Sequence, residues 1–102
     1  MQSSEGKDAA ARRLEKRIIV RARRGDRSAL RELVDLHKDR LFPFVLRMIR
    51  NHHDAEDIVQ DAFLKAFASL DSFSTEYRFS TWLFTIAYRL CLNSMRRKHA
   101  LT

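Results

Sequence analysis

Turn-forming residues are nearly missing from this chain, which has two glycines and one proline in 102 residues. Tight hairpins need more of both, and no segment sustains a period-two alternation of apolar and polar residues, so an all-α fold is expected. Cysteine is equally scarce. The single Cys91 has no partner for an internal disulfide, and its place within a helical apolar pattern assigns it to packing rather than redox chemistry. No apolar run approaches the roughly 20 residues that span a bilayer, and no apolar stretch follows the N-terminus as a signal peptide requires. A cytoplasmic protein without membrane insertion is expected. His52 and His53 are adjacent without a cysteine nearby, which is not zinc-site spacing, and His37 and His99 do not complete one. With no nucleophile–base pair, ligand set or glycine-rich phosphate loop either, no enzyme and no cofactor is expected.

What is present is charge, unevenly distributed. Residues 1–53 carry 14 Lys/Arg against 7 Asp/Glu, residues 54–76 carry 1 against 6, and residues 77–102 carry 5 against none. An acid-free basic segment suits contact with phosphates, whereas the acidic segment beside it would repel them and must face something else. The length suits one domain, and with 45% apolar residues a modest core can form.

Four helical segments are predicted. Residues 1–7 read as disordered, and Asp8 to about Arg24 as a loosely held basic helix closed by Gly25. Its arginines and lysines form either a solvated face or an accessory nucleic-acid contact. A second helix, capped by Asp26 or Ser28, runs to about Arg50 and buries Leu30, Leu33, Val34, Leu41, Val45 and Met48. Pro43 should kink or break it. Asn51-His52-His53 reads as a short connection into a third helix with Asp54 as its N-cap. At about 100° per residue, that helix turns Val59, Ala62, Phe63, Ala66, Phe67 and Leu70 inward and Asp57, Asp61 and Leu64 outward, with Gln60 on the flank. Such an outer face is either solvated, with one stray leucine, or meets a partner.

Residues 71–77 mix polar and aromatic types without helical period. Phe73 and Tyr77 anchor this loop to the core, or help form a pocket for an unstacked base, or both. The last helix begins near Ser80 or Thr81 and ends near Lys98. It places Phe79, Leu83, Ile86, Ala87 and Leu90 on a core side, and a polar, basic stripe of Thr81, Thr85, Arg89, Leu92 and Arg96 on another.

The segment Asp-Ala-Glu-Asp-Ile-Val-Gln-Asp-Ala-Phe (54–63), followed in order by Phe79-Ser80-Thr81-Trp82-Leu83, Ile86-Ala87 and Arg96-Arg97-Lys98, closely resembles region 2 of bacterial sigma factors. The extracytoplasmic-function (ECF) group fits best. The resemblance covers roughly residues 26–98 as one compact bundle of three to four helices, with residues 1–25 as a partly helical basic extension and 99–102 as a tail.

The resemblance implies that Asp57, Gln60, Asp61 and Leu64 dock on the clamp helices of the RNA polymerase β′ subunit. It further implies that the loop 71–78 and the start of the last helix capture a base flipped from the non-template strand of the promoter −10 element. Phe73, Ser74, Tyr77, Arg78, Phe79 and Thr81 are the candidates for that capture. Trp82, Thr85, Arg89, Asn93, Arg96 and Arg97 complete the implied DNA-binding set, Trp82 as a core or pocket-wall residue rather than a wedge. An anti-sigma factor is an implied further partner. Two departures matter. Thr85 and Ile86 stand where primary sigma factors carry two tryptophans that prop the duplex open, a lack shared by the ECF group. Arg89 and Asn93 stand where many ECF sequences have Asn and Asp, so base preference does not transfer. ECF factors also have a second helical domain that reads the −35 element; residues 1–102 contain none, which reads as an excised domain or a partial protein, the former being favoured. A duplex-binding helical module and a purely protein-binding bundle are the competing readings.

Overall fold

The computed structural model describes residues 4–101, with side-chain surroundings for residues 6–100. Four α-helices run through them: α1 Ser4–Arg23, α2 Arg27–Ile49, α3 His52–Ala68 and α4 Phe79–Leu101, with a single 3₁₀ turn at Leu70–Ser72. No strand occurs among the described residues. The all-α bundle expected from the sequence is what the chain forms.

The α1–α2 corner follows from three consecutive residues. Gly25 adopts φ 92°, a left-handed conformation with little cost to glycine. Its N–H reaches the Ala22 carbonyl at 3.0 Å, while the N–H of Asp26 reaches that of Arg21 at 3.1 Å; together these satisfy the last carbonyls of α1. Asp26 then caps α2, its carboxylate accepting from the backbone N–H groups of Ser28 and Ala29. Hydrogen bonds from the Ser28 hydroxyl and, next, Arg21 hold the Asp26 carboxyl down at about 2.

Several expectations need correction. Ser4–Lys7 are helical rather than disordered; residues 1–3 lie outside the described residues. α1 is not loosely held, because Ile18, Ile19 and Ala22 are buried in the common core, a local apolar stripe masked by the surrounding arginines. Pro43 neither breaks α2 nor starts a new element, and the helix is continuous from Arg27 to Ile49. Pro43 and Asp39, whose carbonyl loses its usual partner, are both exposed, where water can meet that carbonyl. The cap of α3 is Asn51, not Asp54: its side-chain oxygen accepts the Asp54 N–H at 2.9 Å, so His52 and His53 form the first turn. Arg50 makes the preceding corner at φ 59°, a strained position for a non-glycine residue. At the other end, α4 continues past Lys98 to Leu101.

The core lies where all four helices meet. Ala55, Ala62 and Ala66 of α3 are fully buried, and their small side chains let α3 approach α2 and α4 closely. Cys91 is fully buried, and burial raises its thiol pKa; its packing role is as expected. His37 lies outside the predicted core set, yet it is only 8% exposed. It follows Leu33 and precedes Leu41 by one helical turn each, which places it in the buried stripe. No helix among the described residues is long and apolar enough to cross a membrane.

Candidate functional site

Two exposed surfaces carry the residues singled out from the sequence. On α3, Asp57, Gln60, Asp61 and Leu64 all point outward. Leu64 is 59% exposed, a large apolar side chain among carboxylates. Asp57 has only a loose contact with His53 of its own helix, at 3.8 Å. The face is thus carried by one helix.

The second surface is built around the loop after the 3₁₀ turn. Phe73 leaves the turn and packs inward, its ring stacked on Trp82 at 4.9 Å and edge-on to Phe79 at 5.7 Å. Phe79 closes the triangle against Trp82 at 5.8 Å. Phe73 is 5% exposed and Phe79 fully buried, so neither offers a free ring face to a ligand. Their part is to support the loop, with Trp82 as the partly exposed wall. Ser74, Arg78 and Thr81 are exposed, and Tyr77 stands 69% exposed with its ring available for stacking.

α4 does not present its polar residues to one place. Thr81 and Thr85 face a groove of about 590 Å³ shared with His37, Arg40 and Phe44 of α2. The Thr85 hydroxyl donates back to the Thr81 carbonyl at 2.9 Å. Asn93, Arg96 and Arg97 instead line a depression shared with Asp61 and Lys65 of α3, so the acidic and basic surfaces adjoin there. Arg89 is exposed and lines neither. Lys98 is bound at 2.6 Å by Asp54, and that bond lowers the pKa of the Asp54 carboxyl.

Sequence reasoning missed two contributors. His37 lies beneath the α2–α4 groove, its ring 5.2 Å from that of Phe79. Its Nε2 has no hydrogen-bond partner. Burial lowers its pKa, Arg40 adding to the shift and Glu15 opposing it. The other contributor is α1. Arg12 donates to the Glu76 carbonyl at 3.0 Å, Glu15 accepts the Phe79 N–H at 3.0 Å, and Arg23 donates to the carbonyls of Leu70, at 3.1 Å, and Phe73. Asp8 pairs with Arg78 at 2.5 Å. The buried spacing of Ile18, Ile19 and Ala22 was the one signal that α1 packs at all; no local pattern names its target.

Comparison with known proteins places this geometry. The family model for Sigma-70 region 2 matches residues 33–100. The ECF RNA polymerase sigma factor SigW of Bacillus subtilis (strain 168) is 41% identical over 83 residues, covering 81% of this chain and 44% of that protein. The ECF RNA polymerase sigma-E factor of Escherichia coli (strain K12) is 36% identical over 76 residues, 74% of this chain and 39% of that protein. The chain thus spans less than half the length of either relative. An NMR structure of an engineered region 2 of sigmaE in complex with GTAAAA superposes with a TM-score of 0.77 at 33% identity, covering 83% of this chain and 88% of that one.

Proposed function

Since this chain belongs to the Sigma-70 region 2 family, with ECF sigma factors among its relatives, we propose that it recognises and melts the promoter −10 element while docked on the clamp helices of the RNA polymerase β′ subunit. It is a binding domain of a transcription initiation factor, not an enzyme. The observation that carries the reading is the presence of two different chemistries on separate helices of one small bundle. An exposed acidic face with an apolar anchor stands on α3, and an acid-free α4 is headed by a loop with exposed polar and aromatic side chains.

Asp57, Asp61 and Gln60 give orientation and fast encounter with a basic coiled coil, and Leu64 adds contact area that salt does not screen. The loop receives a base once it has left the stack. Flipping costs a few kcal/mol, and a preformed pocket offsets it. Ser74 and Thr81 supply donors and acceptors for the pairing edge, Tyr77 a stacking surface, and Arg78 a cation beside the backbone. Phe73, Trp82 and Phe79 hold the loop that carries these side chains. Thr85, Arg89, Asn93, Arg96 and Arg97 follow the strand along α4, where contacts to phosphates fix position rather than sequence. The complex of the engineered sigmaE region 2 with GTAAAA supports this assignment. An anti-sigma factor covering either face would silence the domain. Residues 26–98 serve as the recognition unit in this reading, which acts in the cytoplasm with the polymerase.

Fluorescence anisotropy at low salt, with a labelled strand carrying GTAAAA either alone or in duplex, tests this function. The single strand should bind at least about tenfold tighter, because only the duplex must be unpaired first. Tighter binding to the duplex would overturn the melting role and favour a module that reads the intact major groove.

A further inference from the structure

The contacts of α1 converge on one place. Among the described residues, Arg21 turns to Asp26, Ser28 and Glu32 of the α2 start, while five other bonds of α1 side chains reach residues 70–79: Arg23 donates to the carbonyls of Leu70 and Phe73, Arg12 donates to the Glu76 carbonyl, Asp8 accepts from the Arg78 guanidinium, and Glu15 accepts the N–H of Phe79. The Phe79 N–H opens α4 and has no acceptor within its helix. A carboxylate there satisfies the group and suits the positive end of the helix dipole. Arg23 is half-buried, and its planar fork spans two carbonyls three residues apart, which a lysine could not do.

We propose that α1 is the positioning element of the base-recognition loop, with Arg23 and Glu15 as the two positioning residues that fix its ends. The proposal rests on the reading of residues 71–78 as the pocket for a flipped base. A loop already fixed in shape loses less conformational entropy when a base enters, so its affinity and selectivity depend on what holds it. The basic character of α1, which on sequence alone suited either a solvated face or a nucleic-acid contact, acquires a different use: two of its arginines bind protein carbonyls. The recognition unit then begins within α1 rather than at residue 26.

The test compares Glu15→Ala, Glu15→Gln, Arg23→Ala and Arg23→Lys with the unaltered chain. Amide hydrogen exchange is followed at residues 70–79, and anisotropy uses two single-stranded probes, GTAAAA and a hexamer of thymidine. In both alanine variants, exchange at Phe73 and Phe79 should accelerate and GTAAAA should bind about tenfold more weakly, the size of one charge-assisted hydrogen bond. The thymidine hexamer, held chiefly through its phosphates, should change by about twofold or less. Glu15→Gln keeps an acceptor and should restore most of the GTAAAA affinity; Arg23→Lys should restore little. Unchanged exchange in both alanine variants, or equal weakening of both probes, would overturn the proposal. If the unaltered chain does not distinguish the probes, the base-recognition reading fails, and the exchange data still decide whether α1 holds the loop.

Discussion

The acidic face of α3 and the loop ahead of α4 reach their shapes by opposite routes. Asp57, Asp61 and Leu64 stand on a single helix whose other side is pinned by Ala55, Ala62 and Ala66, so their relative positions follow from helical geometry alone. The loop has no such frame. Its ends and middle are held by side chains of α1 lying 47 to 70 residues earlier in the chain. A face carried by one helix therefore tolerates change in its own residues without structural consequence, whereas a loop held from a distance can be lost through residues that lie outside it.

Perturbing each region should break this contrast open, and the largest effect belongs to the core beneath the loop. Phe79→Ala removes a fully buried ring that packs on Phe73, Trp82 and His37, and should destabilise the domain by about 3–5 kcal/mol in urea denaturation. Leu64→Ala, of similar chemistry but exposed, should fall within about 0.5 kcal/mol of the unaltered chain. Next comes the docking face. The double variant Asp57→Lys with Asp61→Lys should keep its unfolding midpoint yet bind a β′ clamp-helix fragment at least about tenfold more weakly in a pull-down or titration. Its affinity for single-stranded DNA should be unchanged or raised; unchanged polymerase binding would remove these two residues from the interface.

The smallest effect is a pH dependence that sharpens the contrast from within. Burial holds the pKa of His37 below its ordinary 6.5, with Arg40 reinforcing the shift and Glu15 opposing it. The unfolded chain therefore binds a proton below about pH 6.5 that the folded chain resists, and stability should fall as pH drops through that value. His37→Leu should flatten the fall between pH 7 and 5 in thermal melts. Asp26 acts lower: with its carboxyl held at about 2 against an ordinary 3.8, its cap is fully effective above pH 4 and is lost towards pH 2.

The legible part of the molecule was the part written in short-range pattern. The inward and outward faces of α3, the stop at Gly25 and the start of α2 at Asp26 or Ser28 each depend on neighbours within a few residues. Asp54 as the cap of α3 is the expectation that fails, since Asn51 three residues earlier is an equally good capping residue and local pattern does not rank the two. The folded chain uses Asn51 for that purpose and commits Asp54 to Lys98, 44 residues away. Phe73 and Phe79 are candidates to touch DNA through the family resemblance, although the helical period already sets Phe79 on a core side. Only the packing of three rings reveals that their faces are already covered.

Helix content, the buried stripes and the opposition of acidic and basic surfaces thus belong to the sequence alone, because helical period and charge are local properties that any reader of the chain can count. The grip of α1 on residues 70–79, the burial of His37 beside Phe79, and the depression that Asp61 shares with Arg96 and Arg97 were decided by tertiary structure. Each joins residues that no local periodicity relates, and only the closing of the core brings them within reach.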